Sequence, residues 1–308
     1  MDVVCKSVRY PDLPCHRVSP FLFNFMLRIA IQSKGRLNEE SIGMLREIGI
    51  LVDESKRKYL SKADNFPIEI LYLRDDDIPG VVASGSADLG IVGLNEVEEK
   101  GFPVKIEERL GFGGCRISLA IPKAEAYEGP SWFEGKTIAT SYPAILGRFL
   151  AEKGITARVV SITGSVEVTP AAGIADAIFD IVSSGSTLVA NNLREVEKVF
   201  FSEAVLISNG SLSDEQESIL EEIRFRLESA RASRDKKYLL MNIPESSVEE
   251  AVRILPSLKS PTVLPLAEKG WCSLHSVVDT ALLWEKVRAL KKIGAEGILV
   301  LDVNKIIP

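Results

Sequence analysis

The 308-residue chain reads as an α/β protein: two lobes built of alternating strands and helices, followed by a smaller third module. Three observations lead there. Short apolar runs alternate with amphipathic stretches through the first two thirds of the chain, as they do where strands are laid between helices. Glycines and small polar clusters mark most changes of period. Past residue 231 the rhythm shifts to strand, helix, strand, strand, helix, strand. Hydrophobic residues make up 46% of the chain and charged ones 26%, enough apolar material to bury a core in two or three domains.

The first lobe opens at Met26. Residues 27–31 form an apolar strand, 32–37 a polar turn, and 38–48 an amphipathic helix. Asn38 is placed to cap that helix, Glu39 and Glu40 sit in its first turn where the dipole favours them, and Gly49 closes it. A strand over 68–73, the acidic turn Arg74-Asp75-Asp76-Asp77, a helix over 78–84 and a buried strand over 89–92 follow. This alternation predicts a mostly parallel sheet. The second lobe has strands at 116–121, 137–140, 158–162 and 177–181, with a helix over 144–152 that starts after Pro143 and ends at Gly154. A long charged helix over 214–231 carries the chain away.

The remaining residues read as strand 238–242, helix 246–255, strands 262–266 and 272–278, helix 280–293 and strand 297–301. That βαββαβ order is the ferredoxin-like arrangement. The domain assignment is therefore 26–115 with 201–231, then 116–200, then 232–308. Residues 1–25 form an extension, either disordered or an over-long start.

A net charge of −6 disfavours non-specific binding to nucleic acid. A small phosphorylated substrate is still compatible, since a local group of cations and backbone N–H groups suffices. Four scattered cysteines (Cys5, Cys15, Cys115, Cys272) without a Cys-x-x-Cys pair indicate reduced thiols rather than a disulfide framework. Two histidines, His16 and His275, leave little for a zinc centre or a Ser-His-Asp triad, and His275, alternating with apolar neighbours, is expected to be structural. No apolar run reaches the roughly 18 residues that span a bilayer. Residues 1–25 lack the order of a secretory signal. The expected location is the cytoplasm, with no membrane and no nucleic-acid partner.

The segment GIADAIFDIVSSGSTL (173–188) is the most informative. A hydrophobic strand ends in Asp180 and runs into a small, hydroxyl-rich loop of Ser183, Ser184, Gly185, Ser186 and Thr187, and then a helix. Such a loop at the C-terminal end of a parallel strand is where open α/β sheets bind ligands, and its short side chains let backbone N–H groups approach a phosphate. An ordinary strand–helix turn has the same composition. Lys34 and Arg36, beside Gly35 after the first strand, suit a polyanion, as a point charge and a fork respectively, or a solvated turn. The three aspartates after Arg74 exceed what capping needs and could face a metal-bearing substrate. Glu167, in a bend between strands, is either a surface acid or a contact to a sugar or base.

Several segments together resemble the long-form ATP phosphoribosyltransferases: LRIAIQSKGRL (27–37), LRDDDIP (73–79), DLGIVG (88–93), GGCRISL (113–119), IATSYP (138–143), GSVEV (164–168) and the 173–188 loop segment. The resemblance runs from Met26 to Pro308. It implies a two-lobed catalytic core like that of periplasmic binding proteins, with the ferredoxin-like module as a regulatory domain. It implies a pentosyltransferase that joins ATP to 5-phosphoribosyl 1-pyrophosphate, with magnesium carried by the substrate and no protein-held metal. Glu167, Asp180 and residues 183–187 would then hold the ribose and its 5′-phosphate, while Arg36, Arg57 and Lys34 meet the leaving pyrophosphate. It further implies histidine as feedback inhibitor, held near Leu258 and Thr262, and a homo-oligomer passing from dimer to hexamer. The competing expectation is a two-domain small-molecule binding protein without catalysis.

Overall fold

The computed structural model describes residues 26–53, 59–183, 185–255 and 258–307. The expectations concerning residues 1–25, Arg57 and Ser184 lie outside that set.

In chain order the first part holds β1 (Leu27–Gln32), α1 (Arg36–Glu47), β2 (Leu60–Lys62), β3 (Ile68–Leu73), α2 (Ile78–Ala83), β4 (Leu89–Gly93), α3 (Leu94–Lys100) and β5 (Lys105–Arg109). The chain then crosses to β6 (Cys115–Pro122), β7 (Thr137–Thr140), α4 (Pro143–Lys153), β8 (Arg158–Ser161), β9 (Ala177–Val182), α5 (Ser186–Ala190) and β10 (Leu193–Ser202). It returns through β11 (Ala204–Ser208) and α6 (Asp214–Ser233). The last part is β12 (Lys236–Pro244), α7 (Val248–Ile254), β13 (Thr262–Pro265), β14 (Trp271–Asp279), α8 (Leu283–Lys292) and β15 (Glu296–Asp302).

Three sheets result, ordered β2-β3-β1-β4-β11-β5, β10-β6-β9-β7-β8 and β13-β14-β12-β15. The expectation of mostly parallel sheets is corrected: both large sheets are mixed. β1 runs parallel to β3 and β4, and β7 parallel to β8 and β9. The pairings of β2, β5, β6, β10 and β11 are antiparallel. The sequence reading assigns no element to 94–109 or 193–208, where α3, β5, β10 and β11 lie. β5 (KIEER) and much of β10 carry charges at positions an apolar pattern needs, as sheet-edge strands commonly do. Only their pairing partners make them strands.

A second correction concerns Asn38. The cap position of α1 is Gly35, so Asn38 lies inside the first turn, buried, with its Nδ2 donating to the Gln32 carbonyl at 2.6 Å. The side chain ties the helix start to the end of β1. The cap of α6 follows the reciprocal pattern: Ser213 accepts from the Gln216 N–H while the Gln216 side chain accepts from the Ser213 N–H.

The period-two alternation of β1 buries both faces. Leu27, Ile29 and Ile31 join Ile42 and Leu45 of α1 and Leu220, Ile223 and Leu227 of α6. Ala30 faces the other way, toward Ile78, Val82, Val205 and Ile207. Each such aliphatic side chain contributes about 1.5–3 kcal/mol on burial. The second sheet packs Ile117, Leu119 and Phe179 against Leu146 and Leu150 of α4. On the third sheet Met241 and Leu274 meet Leu255, at the end of α7, and Leu290 of α8.

Close packing of α2 on β4 needs a glycine. A Cβ on Gly90 would stand 2.7 Å from Ile78 Cγ2, 2.9 Å from Val82 Cγ2 and 3.2 Å from Ile207 Cγ1. Gly90→Ala is therefore expected to destabilise the fold by about 1–3 kcal/mol through overpacking. Denaturant unfolding checks this, and an unchanged midpoint would show that α2 lifts away freely.

Candidate active site

The first two sheets share one feature that decides where chemistry can occur. The chain passes between them twice, through 110–114 and through Glu203, and the two passages hydrogen-bond to each other. Leu110 N–H donates to the Ala204 carbonyl and Ala204 N–H to the Phe112 carbonyl, both at 2.9 Å. Glu203 in turn accepts from the Leu94 N–H at 2.9 Å, at the start of α3. The loops that follow β1, β3 and β4 are thereby brought to the side where those following β7 and β9 end.

The loop that follows β9 borders a cavity. Glu167, Asp180, Ser183, Gly185, Thr187 and Leu188 line a cavity of about 120 Å³. Gly185 has φ +82°, a left-handed conformation in which a side chain is strained, and its carbonyl accepts from the Val189 N–H at 3.2 Å. The Ile181 N–H donates to Asp180 Oδ1 at 2.8 Å. Burial, with the Glu167 charge nearby, still lifts the Asp180 carboxyl above its ordinary range. An acid so placed gains from hydroxyl donors, which a sugar supplies. A larger cavity of about 320 Å³, at Trp132, Lys136 and Asp176, lies at the opposite end of β7 and faces away from these loops.

Across the gap, Arg36 opens α1 with its side chain half exposed. Its Nη2 donates to the Gly114 carbonyl at 3.3 Å, reaching the first crossover, while Lys34 is exposed in the preceding turn. Between the two sheets runs a buried polar chain. Ser202 Oγ donates to Asn95 Oδ1 at 2.7 Å, and Asn95 Nδ2 donates to Glu96 Oε1 at 2.9 Å. The Tyr142 hydroxyl, from the other sheet, donates to the same Glu96 oxygen at 3.1 Å. Glu99 adds a second link: its carboxylate accepts the free N–H groups of Ala144 and Ile145 at the start of α4, both at 2.9 Å.

Comparison with known proteins matches two family models in tandem, "HisG: ATP phosphoribosyltransferase" over residues 74–229 and "HisG, C-terminal domain" over 233–305. An ATP phosphoribosyltransferase of Bacteroides thetaiotaomicron is 57% identical over 282 residues, 92% of this chain and 100% of that protein. The chain belongs to the ATP phosphoribosyltransferase family. A relative of the same description from Cytophaga hutchinsonii is 50% identical over 92% of this chain and 99% of its own length. A solved ATP phosphoribosyl transferase (HisG:HisZ) complex from Thermotoga maritima aligns with TM-score 0.56 and 30% identity, covering 66% of this chain and 99% of that one. Relatives matched from end to end under this description set aside the reading of a binding protein without catalysis.

In this phosphoribosyltransferase frame, Glu167, Asp180, Ser183, Gly185 and Thr187 share one cavity, with Ser186 opening α5 beside it. Lys34 and Arg36 stand on the other sheet. Leu258 and Thr262 belong to the third sheet region. Leu258 is exposed, and Thr262, also exposed, stands on β13 opposite His275. The His275 ring is held at both nitrogens, Nδ1 by the Tyr238 hydroxyl at 2.8 Å and Nε2 by Ser273 Oγ at 3.0 Å. Among the described residues no group of three or more His, Cys, Asp or Glu side chains is arranged to hold a metal, and no helix is long and apolar enough to cross a membrane. Sequence reasoning passed over Asn95, Glu96, Tyr142, Arg116 and Glu195. Tyr142 and Arg116 lie within segments that carry the family resemblance, so a signal existed for those two alone.

Glu96 generates a pH prediction. Burial, reinforced by the Asp75 charge and further by Asp76, raises its carboxyl from 4.5 to about 7, against the pull of Tyr142 and Lys100. A raised folded-state value favours the protonated native form. Its contribution is complete below pH 4.5 and is lost as pH rises to about 7. The whole span amounts to about 3 kcal/mol. Glu96→Gln, neutral throughout, is expected to lose less melting temperature between pH 5 and pH 8 than the unaltered chain. Identical pH slopes would place the carboxylate in water.

Proposed function

We propose that the chain condenses ATP with 5-phosphoribosyl 1-pyrophosphate, giving N1-(5-phosphoribosyl)-ATP and pyrophosphate, in the step that opens histidine biosynthesis. The observation that carries the residue roles is the cavity after β9, where an acid with raised proton affinity stands beside a small-residue loop with a left-handed glycine.

Displacement at the anomeric carbon needs no covalent enzyme nucleophile, because N1 of ATP attacks and pyrophosphate departs. The enzyme's work is to align the two reactants and to stabilise charge on the leaving group. Asp180, with Glu167 beside it, accepts hydrogen bonds from the ribose hydroxyls. Ser183, Ser184, Gly185, Ser186 and Thr187 receive the 5′-phosphate. Arg36, with Lys34 and Arg57, answers the growing charge on pyrophosphate from the opposite sheet. Magnesium carried by the substrate would neutralise polyphosphate charge. The acidic turn Asp75–Asp77, at the end of β3, supplies hard oxygen groups of the type that bind such an ion through its water shell.

The domain assignment given above fits this reading, with the 232–308 module as a histidine sensor at Leu258 and Thr262. A cytoplasmic homo-oligomer is part of the same proposal.

Formation of phosphoribosyl-ATP, followed by ultraviolet absorbance on mixing the two substrates, tests the reaction directly. Gly185→Val is expected to raise the KM for phosphoribosyl pyrophosphate about tenfold or more while leaving that for ATP nearly unchanged, since a β-branched residue resists the left-handed geometry. Equal effects on both substrates would move the phosphate site elsewhere. For regulation, Thr262→Trp is expected to relieve inhibition by free histidine without lowering uninhibited turnover. A folded variant as sensitive as the unaltered chain would dismiss that site.

A further inference from the structure

We propose that Arg116 and Glu195 act as a positioning brace that holds Ser183, the entry to the phosphate-receiving loop, without touching the substrate. Arg116, near the start of β6, is opposite Val182 of β9 on one side and Phe201 of β10 on the other. Its guanidinium forks onto Glu195: Nε donates to Oε1 at 2.5 Å and Nη2 to Oε2 at 2.7 Å. The third nitrogen, Nη1, donates to the Ser183 carbonyl at 3.2 Å, where the chain leaves β9 to enter the loop. Ser118 Oγ, two residues along β6, donates to the same Glu195 oxygen at 2.6 Å. Three neighbouring strands are thus clamped at the loop's first residue.

Two features make this a built arrangement rather than a surface ion pair. The side chains are only 24% and 20% exposed, so water screens the pair less than it would on an open face. Glu195 also sits where the β10 ladder shifts register, between Glu195 and Glu197, and such irregularities re-aim side chains. The roles divide cleanly. Gly185 and its bond from Val189 fix the far side of the loop, while Arg116 fixes the near side. Arg116 is not among the residues that line the cavity, and the three guanidinium nitrogens all bond to protein groups. A lysine offers a point charge and cannot reproduce the fork.

This inference rests on the phosphate-loop reading, and the experiment separates the two. Steady-state kinetics of the full chain are compared for Arg116→Lys, Glu195→Gln, the double variant and Gly185→Val, with thermal melting to verify folding. A brace predicts that each single change raises the KM for phosphoribosyl pyrophosphate roughly tenfold, the scale of losing a charged hydrogen bond. The KM for ATP stays within about twofold, and the double variant is little worse than either single one, because both break the same unit. If Arg116 instead bound phosphate directly, Glu195→Gln would free the guanidinium and leave or lower that KM, which overturns the proposal. A normal KM in folded Arg116→Lys overturns it as well. Gly185→Val distinguishes the failures. If that change raises the KM and the brace variants do not, the brace alone is wrong. If it too has no effect, the loop reading falls and the brace with it. Should Arg116→Lys fail to fold, Ser118→Ala loosens Glu195 more gently and is expected to shift the same KM by a smaller factor; no shift counts against the brace.

Discussion

Everything at the candidate site depends on how two separate sheets are joined. Two chain passages, 110–114 and 203–204, lie side by side and bond to one another through Leu110, Phe112 and Ala204. Around them, Asn95, Glu96, Tyr142 and Ser202 form a buried polar chain that crosses from one sheet to the other. Such a network must be nearly complete to be tolerated, because an unpartnered polar group away from water costs about as much as the hydrogen bond it lacks. It therefore specifies one alignment of the lobes. The cations after β1 and the small-residue loop after β9 are 149 positions apart from Lys34 to Ser183 by numbering, and that alignment of the lobes sets how they lie in space.

Electrostatics then divides the work. The chain carries a net charge of −6, yet its candidate substrates are polyanions. Acidic groups near the cleft are handled by burial and pairing rather than by exclusion. Glu96 and Asp180 are pushed toward their neutral forms by desolvation, and Glu195 is held in its charged form by Arg116. Arg36 and Lys34 remain exposed at the start of α1.

Legibility in the sequence followed a physical rule. β11 was passed over despite its apolar run, whereas the strands over 68–73 and 137–140 were readable to the residue, and the βαββαβ order of the last module was readable as an order. β5 and β10 were not, because an edge strand satisfies its backbone through one neighbour and can carry charge on its side chains. Asn38 misled for a related reason: an asparagine near a helix start is a good cap by type, but the glycine three residues earlier already occupied that position.

The sequence by itself determined the family and pointed to the strand-end loops to which the proposed chemistry is assigned. Those are matters of local pattern and residue type, written contiguously in segments such as 27–37 and 173–188. Only the tertiary structure decided strand direction, the crossover at Glu203 and the partners of Arg116, Glu96 and Tyr142. Glu195 lies 79 positions from Arg116, and Tyr142 lies 46 from Glu96. No periodicity reaches that far along a chain. Charge pairing and shared burial act through space, so a residue's electrostatic role is fixed only once the fold brings its partner within reach.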